Sequence, residues 1–214
     1  MKKLIILTSV VVVSLIAFIL IGCKNQGSYI KSDDELTNGV LTYHHLPENW
    51  QFGGNYSFRI GSVKGGGALF ASDKDATIVR ENKPLFADME YRPWIRDDVI
   101  LPDLCSDQVE IKIYLTNHGT LVLEGQAREE FIQWFQMYQN GETNVYDVAP
   151  ENPVKMRGLI SFDSIYIKGL SYVLDFRIIQ CDGAYIMVDN FNKAIASFGQ
   201  ESKLYEEVSM AYQE

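Results

Sequence analysis

The stretch QVEIKIYLTNHGTLVLEGQAREEFIQWFQMYQNG, residues 108–141, carries two hydrophobic periods in succession. Val109, Ile111, Ile113 and Leu115 alternate with Glu110, Lys112 and Thr116, the period-2 pattern of a strand with one buried face. Asn117-His118-Gly119 then supplies turn residues, and Leu121 and Leu123 resume the alternation, so the spacing predicts a β-hairpin. Beyond Gly125 the period lengthens. Phe131, Trp134, Phe135 and Tyr138 fall at i, i+3, i+4 and i+7 against Arg128, Glu129, Glu130, Gln133 and Gln136, which predicts an amphipathic helix near 127–139 ended by Asn140-Gly141. A hairpin followed by a one-sided helix predicts a sheet with the helix across one face.

Downstream, strands are expected at about 159–168, 172–180 and 184–189. The last two are joined through Asp182-Gly183, a dipeptide suited to a two-residue hairpin turn. From Asn192 to Tyr212 the pattern reads as helical, with Ile195, Phe198, Tyr205 and Val208 on one face and a break at Gly199. Upstream, Tyr56, Phe58 and Ile60 alternate with polar neighbours, and short strands are expected at 68–71 and 76–80. Pro84, Pro93 and Pro102 argue against a long helix between them. Antiparallel strands with helices packed on them make the expected class α+β. One domain is expected over 39–214, with a candidate subdivision near 104.

The N-terminus has a different logic. Met1-Lys2-Lys3 is a short basic start, 4–21 is almost wholly apolar, and Leu20-Ile21-Gly22-Cys23 closes the segment. This resembles the signal peptide and lipobox of bacterial lipoproteins, a resemblance confined to residues 1–23. It implies removal of 1–22 by cleavage after Gly22 and a diacylglycerol anchor on Cys23, carrying acyl chains such as palmitate. It also implies a mature domain on the extracytoplasmic face of the cell membrane, or at an outer membrane where the organism has two. The rival expectation is an uncleaved signal anchor, because 18 apolar residues is close to the length that spans a bilayer as a helix. Polar residues from Lys24 through Asp33-Asp34-Glu35 to Asn38 read as a tether over 23–38, whose r.m.s. span as a flexible chain is about 20 Å.

The whole chain of 214 residues has a formal charge of −9. Without Lys2 and Lys3 there remain 17 basic and 28 acidic residues, a charge of −11. No run of three basic residues occurs after Cys23, and phosphate neutralisation requires clustered cations, so nucleic acid is not an expected partner. The same charge disfavours an anionic lipid surface, leaving the acylated Cys23 as the expected link to the bilayer.

Recognised chemical motifs are few. His44-His45 on a strand would point to opposite faces, and His118 sits in the expected turn, so no metal site is expected. Gly65-Gly66-Gly67 lacks the context of a phosphate-binding loop and reads as a flexible hairpin loop. Asp73-Lys74-Asp75 opens like a calcium loop but lacks the glycine and glutamate such a loop needs. Cys105 and Cys181 are candidates for a disulfide, closing a loop of about 77 residues worth ~4.5 kcal/mol; buried thiols are the alternative. Trp50, Phe52, Tyr56, Tyr91 and Trp94 lie in Gly- and Pro-flanked sequence; Trp50, Phe52, Tyr91 and Trp94 are candidates for a recognition surface, with burial in a core the alternative for each. No catalytic residue or cofactor is implied. The expected role is a binding or interaction module for a protein, peptide or envelope component. The alternative is an envelope hydrolase using paired carboxylates, for which Asp97, Asp98, Asp103 and Asp107 crowd one stretch.

Overall fold

A computed structural model describes residues 27–82, 92–116, 119–146, 154–181 and 184–213. The chain is α+β and predominantly strand. It divides into two compact units, one made from 27–47 and 54–100, the other from 48–53 and 101–213. In place of the single domain expected over 39–214 there are two units, and their main break between Ile100 and Leu101 lies close to the candidate subdivision near 104. Each unit buries its own apolar core, the first inside its strands and the second between its sheet and helices.

The first unit is a closed barrel of seven short strands. In chain order these are β1 (Gly27–Lys31), β2 (Glu35–Thr37), β3 (Thr42–His45), β5 (Phe58–Val63), β6 (Ala68–Ala71), β7 (Ile78–Asn82) and β8 (Trp94–Arg96). Around the barrel the order is β1-β2-β3-β8-β7-β6-β5, closed by parallel pairing of β1 with β5. Residues 27–37, expected as part of a polar tether, are thus two barrel strands. The polar composition misled because Tyr29 and Leu36 are the two buried side chains in that stretch. Tyr43, Val63, Leu69, Ala71, Val79 and Trp94 complete the interior. Closure demands a glycine: a Cβ on Gly61 would stand 2.1 Å from the Gly27 carbonyl oxygen. Gly65–Gly67, read from sequence as flexible, is tied down by Glu81, whose carboxylate accepts the Gly67 N–H at 2.8 Å and an ion pair from Lys31 at 3.1 Å.

The second unit is built on a sheet in the order β10-β9-β11-β12-β13-β14. Its strands are β9 (Val109–Leu115), β10 (Gly119–Val122), β11 (Val154–Ser164), β12 (Leu170–Cys181), β13 (Ala184–Val188) and β14 (Ala194–Phe198). The β9–β10 and β12–β13 hairpins agree with the sequence reading, and pairing of Cys181 with Ala184 leaves two residues for the connection. A further short strand, β4 (Trp50–Phe52), pairs with Leu170–Tyr172 at the start of β12. β4 and β13 therefore flank β12 at its opposite ends, while β11 runs along its other edge.

Helix α1 (Gly125–Gln139) lies on one face of this sheet, burying Ala127, Phe131 and Phe135. Gly141, with φ of 79°, ends it, its N–H bonding to the Tyr138 carbonyl. Phe162 in β11 meets Phe135 at 4.6 Å between ring centroids, Phe131 at 6.1 Å and Tyr172 at 5.8 Å. The C-terminal segment needs a correction. Only α2 (Lys203–Gln213) is helical, whereas Ala194–Phe198 forms β14. Ala194, Ile195, Ala196 and Phe198 are all buried, so both faces of the strand are covered and the alternation that marks a half-buried strand is absent.

α2 is held at its start by two acceptors. Ser202 Oγ accepts the Tyr205 N–H at 2.9 Å, and the Glu130 carboxylate of α1 accepts those of Lys203 and Leu204 at 3.3 and 3.1 Å. Burial alone would raise the Glu130 pKa, but these N–H groups, with Gln126 and Ser202, hold it below the ordinary glutamate value. A depressed folded-state pKa means that the bond contributes above the unfolded pKa and is lost as pH falls through the folded one. Glu130→Gln should cost about 1 kcal/mol at neutral pH, the scale of a lost cap. In urea melts the difference from wild type should shrink on acidification; a pH-independent difference would sink the assignment. Phe162→Ala should cost about 3–5 kcal/mol by the same measurement, because its cavity opens where helix and sheet meet.

Candidate functional site

The helices cover one face of the second sheet, and side chains on the other face behave differently along its width. At the β13–β14 end, Ile179, Ile186, Val188 and Ala194 form a small apolar cluster with Tyr146 and Val154. In the middle, Lys112 bonds to Asp163 at 2.8 Å and to Glu110 at 2.5 Å, and Ser161 donates to Asp163. Burial works against the Asp163 carboxylate, yet Lys112 and Ser161 hold its pKa low, so this group of charges is internally satisfied.

Where β9 ends, a cleft of about 470 Å³ opens, lined by Tyr114, Thr116, Arg157, Leu159, Asp175, Arg177 and Asn190 among others. Three strands build it. Gly158 pairs with Leu115 of β9, and Arg157 stands directly opposite Arg177 of β12. Opposed residues of an antiparallel pair project to the same face. Arg177 is positioned by the turn between β13 and β14: its Nη2 donates to the Asp189 carbonyl at 2.9 Å and to Asn192 Oδ1 at 2.6 Å. That turn is organised by the buried Asp189 carboxylate, which accepts the Phe191 and Lys193 N–H groups and the Tyr138 hydroxyl. Asn192 takes the left-handed conformation that asparagine tolerates, at φ 65°.

The aromatics expected to form one recognition surface are distributed otherwise. Trp50 and Phe52 lie on β4 and are half-buried, Trp50 packing against the main core edge-on to Tyr172 at 5.7 Å. Trp94 takes the buried alternative: it lies in the barrel interior, 2% exposed and stacked on His45 at 3.6 Å. Pro93 and Arg96 beside it made the segment look like a loop, but three residues of strand suffice to point an indole inward. Tyr91 lies outside the described residues. The exposed large hydrophobic side chains include others that the sequence did not single out, such as Ile100, Val40, Ile165, Tyr166 and Phe191.

The disulfide is also corrected: Cys105 and Cys181 are not joined. Cys105 packs against the main core and donates to Gln139 at 3.4 Å, whereas Cys181 ends β12 beside the smaller cluster. Burial, with Asp103 nearby, pushes the Cys105 thiol pKa up. His44 and His45 point to opposite sides of β3, as adjacent strand residues must, and burial lowers the His45 pKa. His118, Gly22 and Cys23 lie outside the described residues. Among the described residues no group of three or more His, Cys, Asp or Glu could hold a metal ion.

Three of the four acids considered for hydrolysis, Asp98, Asp103 and Asp107, have local partners. Asp98 pairs with Arg96 in the first unit. In the second, Asp103 accepts the Cys105 N–H and Asp107 pairs with Arg128 at 3.2 Å. Burial raises the Glu207 pKa, but Glu207 lines neither the Arg157 cleft nor the cleft of about 350 Å³ beside α2, which is formed by Met156, Ile178, Tyr185, Tyr205 and Val208 among others. The chain matches no family model, no curated protein and no solved structure. Intact mass after unfolding in iodoacetamide without reductant should show Cys105 and Cys181 both alkylated; a peptide pair linked between them would refute the assignment.

Proposed function

We propose that this chain is a lipid-anchored extracytoplasmic binding module. Its anchor is the acylated Cys23 left after cleavage at Gly22, and its partner is a protein, peptide or envelope component. The anchor rests on the basic start, apolar run, small residue and cysteine of residues 1–23. Two or more acyl chains hold a protein stably where one holds it marginally. Support for binding comes from one observation in the second unit: α1 and α2 pack on the same face of the sheet, and the other carries a solvent-open cleft with the exposed Arg157 and Asp175.

The barrel changes how such an anchor works. β1 begins at Gly27, four residues past Cys23, and four extended residues reach at most about 14 Å. A lipid on Cys23 therefore holds the first unit close to the headgroups instead of letting it float on a long tether.

Replacing Cys23 with Ser should move the protein from the membrane fraction to the soluble fraction of fractionated cells. Retention of the variant in membranes would instead assign attachment to the uncut apolar segment. A photo-crosslinking residue at Leu159, in the cleft, should capture a partner that the same residue at Glu129 of α1 does not; equal capture at both sites would count against the cleft.

A further inference from the structure

Arg157 and Arg177 are directly opposite in the β11–β12 pair, an arrangement that is unfavourable between like charges unless something lies between them. Neither guanidinium is neutralised by a carboxylate among the described residues. Arg157 is exposed, and its guanidinium makes no hydrogen bond or ion pair to any described residue. Arg177 spends its Nη2 on Asp189 and Asn192, which fixes its orientation, while its Nε–H is buried without an acceptor. Both line the same cleft of about 470 Å³, together with the hydroxyl-bearing Tyr114 and Thr116 and the amide of Asn190.

We propose that this cleft is an oxyanion site that takes a phosphate group, free or carried by a lipid headgroup. A phosphate fits better than a carboxylate. One guanidinium fork satisfies a planar carboxylate, whereas the oxygens of a tetrahedral phosphate diverge and can bridge donors on two strands. Arg177 supplies a fixed donor, and Arg157, free to move, closes on the anion from the neighbouring strand. Asp175, exposed at the cleft wall, opposes a second negative charge, so the site favours a singly charged phosphodiester or monoanionic phosphate over more highly charged anions. The site deepens the binding reading above and rests on it for its biological setting, but not on the anchor.

The test is calorimetric titration of the full chain in non-ionic detergent, at low ionic strength. The probes are inorganic phosphate and, separately, soluble glycerophosphoglycerol, a headgroup without acyl chains. Saturable binding at one equivalent is expected for at least one probe. Arg157→Gln should weaken it about tenfold or more, the effect of losing a charge-assisted hydrogen bond. Arg157→Lys should weaken it less, and Asp175→Asn should tighten it. Binding of phosphate alone identifies a free ion as the ligand, and tighter binding of the ester identifies a headgroup. Absence of binding by both probes overturns the proposal, as does binding that Arg157→Gln leaves unchanged while its thermal melt matches wild type. Cys23→Ser is expected to bind phosphate like wild type, so failure of the anchor and failure of the site are read separately.

Discussion

The second unit depends on the packing of Phe162 against Phe131 and Phe135. Phe162 sits on β11, which pairs with β9 on one side and β12 on the other. Burying its ring against α1 therefore locks the helix to the middle of the sheet. α2 follows, because Glu130 on α1 receives its first N–H groups and Leu204 and Val208 enter the same core. With both helices committed to one face, Tyr114 of β9, Arg157 and Leu159 of β11 and Asp175 and Arg177 of β12, all of the opposite parity, are left to line the cleft. The cleft is a consequence of that division.

In the first unit the corresponding constraint is closure. Strands of three to six residues have little pairing each, and an open edge would expose unsatisfied backbone groups. Parallel pairing of β1 with β5 removes that edge, and it requires Gly61, where no side chain fits against the Gly27 carbonyl. Glu81 reinforces the closure from within by holding Lys31 of β1 and the glycine turn between β5 and β6. A carboxylate is stable in that buried position because a cation and a backbone N–H both meet it.

Much of the second unit was legible in the sequence. Residues 108–139 show strand and helix periods over lengths that leave little ambiguity, and the β9–β10 hairpin and α1 stand where those periods place them. Legibility failed where burial was two-sided or very local. Ala194–Phe198 is apolar on both faces and so mimics a helical run. Residues 27–37 hold only two buried side chains among polar ones and so mimic a tether. Trp94 sits in a strand too short to show any period.

The lipobox-like segment, the α+β class and the acidic balance follow from local composition and spacing, which residues 1–23 and 108–139 carry without reference to the rest of the chain. The cleft could not be read that way. Arg157 and Arg177 are separated by a hairpin and belong to unremarkable strand sequence, and only the register of β11 against β12 sets one opposite the other. A shift of that register by a single residue would bring different side chains into opposition and remove the pair. That register is determined by the apolar side chains buried beneath α1, so the composition of the open face is decided by packing on the closed one.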